Sequence, residues 1–188
     1  MRTSKSNIYL FVVLISTTLS SINVWAAQTV HINLEIDGNY IEGESTIASL
    51  GREGTIEAFS AGFNVSTPFD STGSRTGAHL YRPFTILKRI DKSSPLLFRA
   101  LTMNEPVTLL EAMYFRPDVS GSGSEEKFMT IKLENAYIVG IVQTSESTVT
   151  GGENAPPVLE LISFVFQNIT MTYEIGGVTH TDTIAPRY

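Results

Sequence analysis

Val158 to Ile175 reads VLELISFVFQNITMTYEI, and the fold turns on how its apolar residues are spaced. In the second half, Ile169, Met171, Tyr173 and Ile175 alternate with Asn168, Thr170, Thr172 and Glu174. That is the period-two pattern of a strand with one wet face. The first half breaks it: Leu161, Ile162, Phe164, Val165 and Phe166 put apolar side chains on both faces. Such a strand must be covered on both sides. The covers on offer are a helix of the same chain or a neighbouring subunit. Gly176-Gly177 then predicts a hairpin turn, with a last short strand over Val178 to Ile184.

Upstream, the same period recurs. Lys127 to Gln143 predicts a long strand in which Met129, Ile131, Leu133, Tyr137, Val139 and Ile141 share one parity. Val107 to Arg116 and Arg82 to Ile90 predict two more. Thr55 to Val65 predicts another, with Phe59, Phe63 and Val65 on one face. At the start, Val30, Ile32, Leu34 and Ile36 alternate with polar neighbours until Asp37-Gly38-Asn39. One segment has helical spacing: Leu97, Ala100 and Leu101 fall at i, i+3 and i+4. Ser94 is the expected N-cap there, Pro95 the first helical residue, and the end is expected near Asn104. Thr67 to His79 and Ser145 to Pro157 are the long loops. Seven strands, one helix and no βαβ alternation predict a mainly β fold. The expected form is a small antiparallel barrel or sandwich with one α-helix packed at its side.

Composition removes several functions. The 188-residue chain carries a formal charge of −6 and has no basic run, which argues against nucleic acid as a partner. It has no cysteine, so disulfides, thiolate catalysis and Cys-based metal sites are excluded. His31, His79 and His180 are far apart and have no ligand-spaced partner. They read as solvated surface histidines. Gly121-Ser122-Gly123 lacks the ending of a phosphate loop, and no serine has a nucleophile-elbow context. No catalytic, cofactor-binding or metal-binding residue is therefore expected.

The N-terminus has its own layout. Arg2 and Lys5 precede the apolar run IYLFVVLI (Ile8 to Ile15), a polar stretch, and Val24-Trp25-Ala26-Ala27. This predicts a secretory signal peptide over residues 1–26, cut between Ala26 and Ala27, ahead of one domain over 27–188. The apolar run is too short for a membrane anchor, which needs roughly 20 residues.

Four segments together resemble the Hcp family, the haemolysin-coregulated tube proteins of bacterial type VI secretion. They are INLEIDGNYIEGES (Ile32 to Ser45), RPFTILKRIDKSSPLLFRAL (Arg82 to Leu101), KFMTIKLENAYIVGI (Lys127 to Ile141) and LELISFVFQNITMTYEIGG (Leu159 to Gly177). The strand–helix signature within the second comprises Phe84, Asp91, Lys92, Ser93, Ser94, Pro95, Leu97 and Phe98. The resemblance implies a β-barrel with a flanking helix that assembles into hexameric rings. The rings stack into a hollow tube that meets a sheath and a spike protein and can carry small effectors. It implies no catalysis in the core domain and no cofactor. Within the first long loop, Asp70, Arg75 and His79 are candidates for ring-to-ring contact.

A signal peptide departs from that family, whose tube subunits assemble in the cytoplasm and leave through the machine itself. Three explanations stand: an exported paralogue acting in the periplasm or outside, a tube protein whose true start lies downstream, or an inefficient signal. The order of Arg2 to Ala26 favours the first. The function expected is that of a ring- and tube-forming structural protein. The alternative is an exported, non-enzymatic binding module built on the same barrel.

Overall fold

The computed structural model describes residues 29–119, 123–145 and 158–184. The expected signal peptide and its Ala26–Ala27 junction lie outside these residues. In chain order the elements are β1 (Thr29–Ile36), β2 (Asn39–Tyr40), β3 (Ile56–Gly62), β4 (Val65–Ser66), β5 (Leu80–Tyr81) and β6 (Phe84–Arg89). Then come α1 (Ser94–Met103), β7 (Val107–Pro117), β8 (Glu125–Thr144), β9 (Leu159–Tyr173) and β10 (Val178–Thr183).

Six strands close on themselves in the order β9-β6-β3-β1-β7-β8, every pair antiparallel. β9 is the closing strand. One of its edges pairs with β8 from Leu159 to Tyr173. The other is divided between β6, opposite Leu159 to Phe164, and β10, opposite Asn168 to Tyr173. Ile32, Leu34, Ile56, Phe84, Ile86, Leu110, Leu133, Ile162 and Phe164 fill the interior. Burying each such side chain contributes about 1.5–3 kcal/mol. The expected barrel with one helix is thus the observed architecture.

The helix lies against β8 and sends Leu97 and Ala100 into the core. It leaves Leu161 and Val165 on the outer face of β9 exposed, so it is not the second cover that this strand needs. Its start differs from the expected one by a residue. Ser93 is the N-cap and Ser94 the first helical residue, and Ser93 makes no side-chain cap bond. The Asp91 carboxylate instead accepts the Ser93 N–H at 2.9 Å, which frees the Ser94 hydroxyl for another task. Asn104 ends the helix in the left-handed conformation.

Three further expectations are corrected. β8 does not keep one parity: Ile131 and Leu133 are buried, and then Ala136 and Ile138 are, while Tyr137 and Val139 are exposed. The switch falls at Asn135, whose φ is 51°, and the paired strands change buried parity beside it, between Val107 and Leu110 on β7 and between Phe166 and Ile169 on β9. Phe59, Phe63 and Val65 do not share a face. A bulge between Ala58 and Ser60 turns Phe59 outward, and Val65 belongs to the separate β4–β5 ribbon. His31 is not solvated. It is 1% exposed, covered on the outside of β1 by the segment from Ile41 to Thr55. That segment runs so close to β3 that a Cβ on Gly43 would lie 2.5 Å from the Ile56 Cα.

Candidate functional site

Two charged residues occupy inward positions in otherwise apolar runs. Lys88 follows Phe84 and Ile86 on β6, and Glu160 precedes Ile162 and Phe164 on β9. The register sets them directly opposite each other. Burying either charge alone would be costly, and the chain surrounds the pair with partners. Lys88 Nζ donates to Glu160 Oε1 at 2.7 Å, Asp91 Oδ1 at 2.7 Å and the Arg89 carbonyl at 2.8 Å. The Ser94 hydroxyl donates to Glu160 Oε1 at 2.6 Å and accepts from the Asp91 N–H at 3.1 Å. Gln143 Nε2 donates to Glu160 Oε2 at 3.2 Å. This cluster joins β6, β8 and β9 to the first turn of α1.

The strand–helix signature divides accordingly. Phe84 and Leu97 are core residues. Asp91, Ser93 and Ser94 belong to the buried cluster or border it. Lys92 is exposed and pairs with Glu42 at 2.6 Å. Pro95 and Phe98 line a groove of about 560 Å³ beside the helix, with Ile90, Leu101, Ile141 and Gln143. Lys88, Glu160 and Gln143 were not singled out from the sequence. The signal for the first two is a charge at an inward position of an alternating strand.

The long loop is an arm with internal order. Its root is the β4–β5 ribbon, and Phe69 bridges to Arg75 near its tip. The Asp70 carboxylate accepts from the Thr72 hydroxyl at 2.7 Å and from the N–H groups of Ser74 and Thr72, both at 2.9 Å; these bonds, the hydroxyl's first, hold its pKa below the ordinary value. Arg75 is exposed. His79 sits at the root instead, its Nε2 2.8 Å from Asp182 on β10. The Tyr81 hydroxyl donates to the same carboxylate oxygen at 2.9 Å. Burial and the adjacent Asp182 push the Tyr81 phenol up to about 12. Asp70, Arg75 and His79 therefore occupy one arm, at its tip and its root.

A second buried cluster lies on the outer side of β1. The Thr55 hydroxyl donates to the Arg52 carbonyl at 2.6 Å, so its oxygen accepts from His31 Nδ1 at 2.9 Å. The proton of the neutral ring is thereby fixed on Nδ1. The Phe115 ring packs against the His31 edge and under the Arg52 guanidinium, which pairs with Glu125 at 2.7 Å. Burial lowers the His31 pKa, against an upward pull from Glu57. Among the described residues, no group of three His, Asp or Glu side chains could hold a metal ion. No helix among them is long and apolar enough to cross a membrane.

A stripe of exposed apolar side chains runs along the outer face of β8 and β9. Tyr137 pairs across with Val165, and Val142 with Leu161; Val139 lies between them. The model of the family described as "Type VI secretion system effector, Hcp" matches residues 33–173, a span that takes in the barrel, the arm and the buried cluster. The chain belongs to the Hcp family. Among curated relatives of this Hcp protein is the "Major exported protein" of Pseudomonas aeruginosa, 34% identical over 143 residues, covering 74% of this chain and 82% of that one. The Hcp1 protein of the E. coli EAEC 042 pathovar superposes with a TM-score of 0.70 at 29% identity, over 82% of this chain and 97% of that one. Another Hcp crystal structure superposes with a TM-score of 0.72 at 25% identity, over 83% of this chain and 99% of that one.

Proposed function

We propose that this Hcp-family chain is an exported, non-catalytic structural subunit that assembles into hexameric rings able to stack as a tube. The observation that supports this best is the outer apolar stripe of Tyr137, Val139, Val142, Leu161 and Val165. The barrel fills its interior without these residues, and α1 leaves them uncovered. A contiguous exposed apolar patch is the ordinary mark of a protein–protein contact. A second copy of a barrel subunit supplies the missing cover. In this reading the arm that carries Asp70, Arg75 and His79 makes the ring-to-ring contact. Sheath, spike and small effectors are the further partners of a tube used for secretion.

Light scattering of the protein from Ala27 onward tests the assembly. A particle near six subunits in mass is expected, and a clean monomer would overturn the reading. A monomer that instead retains a partner protein would favour the binding module. We infer that the N-terminal segment is a cleaved signal and that the subunit works outside the cytoplasm. N-terminal sequencing from fractionated cells should find Ala27 first in the exported fraction. An intact N-terminus on cytoplasmic protein would sink that part.

A further inference from the structure

We propose that a cavity on the outside of β1 and β3 binds a small zwitterion, an α-amino acid with an apolar side chain. The cavity measures about 550 Å³, within the size range of small-molecule sites. It lies between the start of β1, the strand β3 and the segment from Ile41 to Thr55, apart from the arm and the outer stripe. The inference is independent of the assembly reading above. Two polar groups in the cavity wall lack partners. The Thr29 hydroxyl is buried and has none among the described residues. His31 is 1% exposed and donates from Nδ1 to Thr55. Its Nε2 is then an acceptor, and no described residue donates to it. Thr29 and His31 stand two apart on β1, so their side chains share one face of the sheet. Buried polar groups left open in a native fold call for a partner from outside the chain.

The charges around these two groups set the chemistry of the ligand. Register places His31 opposite Glu57, and the next pair along, Ala58 with Lys88, sets Glu57 beside Arg89. Such cross-strand neighbours stand ~5 Å apart. Glu57 on β3 and Glu44 on the covering segment make no ion pair among the described residues. The Arg89 guanidinium lies 5.2 Å from the centre of the Phe59 ring and pairs with no described carboxylate. The third carboxylate in the wall, Asp91, is already held by Lys88. An incoming ammonium thus finds the Glu57 carboxylate and His31 Nε2, and an incoming carboxylate finds Arg89. Two free carboxylates against one free guanidinium rule against a simple carboxylic acid. An α-amino acid carries ammonium and carboxylate on one carbon, a spacing that suits two side chains on adjacent strands. Its own side chain meets Val30, Ile47 and the Phe59 ring, which is 52% exposed. Burial favours the neutral form of His31, the form that can accept.

L-leucine is the probe, read by saturation-transfer NMR, which works on large assemblies as well as on monomers. The purified protein should give a saturable signal. Glu57→Gln and Arg89→Gln should each weaken binding about tenfold or more, the effect of losing a hydrogen bond to a charged group. Both side chains are exposed, so both variants should keep the unfolding midpoint and particle mass of the parent. N-acetyl-L-leucine, which lacks the ammonium, should bind the parent no better than L-leucine binds Glu57→Gln. No saturable signal, or binding unchanged in both variants, would overturn the site and leave the assembly reading standing. L-leucine amide binding as tightly as L-leucine would overturn the zwitterion in favour of a simple organic cation. A monomer that binds L-leucine and loses it in both variants would support the site and overturn the assembly reading.

Discussion

At the scale of single residues, the groups that matter most are polar ones in apolar places. Removing one partner of a buried ion pair leaves an uncompensated charge, a loss of about 3–5 kcal/mol. Glu160→Ala should sit near 3 kcal/mol, since Asp91 still faces Lys88 at 2.7 Å. The double variant Lys88→Met, Glu160→Met should lose less than Glu160→Ala alone; urea unfolding of both checks this. His31 yields a pH dependence of known sign. Its folded pKa lies below the ordinary 6.5, chiefly from burial, with Arg52 adding to the shift and Glu57 and Glu125 opposing it. The unfolded chain therefore binds the proton more readily. The stability His31 provides is complete above pH 6.5 and is lost as pH falls toward the folded value. The urea midpoint should drop between pH 7 and pH 5, and the drop should shrink in His31→Asn. The burial of His31 was not legible from its polar strand position, because the cover comes from a segment with no periodicity of its own. Lys88 was legible in principle, as a cation at an inward position.

At the scale of elements, most strands could be read from alternation, and α1 from its i, i+3, i+4 spacing. β8 departs from its expected parity beyond Asn135 for a specific reason. After that point both faces carry apolar side chains, so alternation no longer says which face is inside. The buried parity changes at the same level on β7, between Val107 and Leu110, and on β9, between Phe166 and Ile169; on β8 the change falls at Asn135, whose φ is 51°. Asparagine enters the left-handed region far more readily than β-branched residues do. Asn135→Val should therefore cost about 1–2 kcal/mol, while Asn135→Gly should be tolerated. Comparison of the two melting curves separates this backbone effect from loss of the side chain. The helix cap was displaced for a similar reason. Serine at either position fits the cap rule, and the choice was made by Asp91 and Glu160, one of them far away in sequence.

At the scale of the whole molecule, the sequence pattern already showed an unfinished surface. The first half of β9 asked for two covers, and within one chain it receives one. Val165→Asp sets a charge in the middle of the outer stripe without touching the interior. It should convert rings to monomers in light scattering while the barrel still unfolds cooperatively, the substitution itself costing the monomer only about 0.5 kcal/mol, as surface substitutions usually do. A variant that still forms rings would remove the stripe from the interface. What the pattern could not show was the cavity outside β1 and β3. His31, Glu57 and Arg89 come together only once β1, β3 and β6 are in register.

The place of β9 in the chain also sets the order in which the protein can be built. β6 waits for a partner about eighty residues away, since Phe84 meets Phe164. A nascent chain that has emerged only through β8 is a curled open sheet, with β6 and β8 as its bare edges. Such edges invite pairing with other chains, and contacts this distant in sequence close slowly. The barrel thus cannot lock until nearly all of it has been synthesised. A polypeptide of this design keeps its edges open until late and needs protection from its neighbours until then.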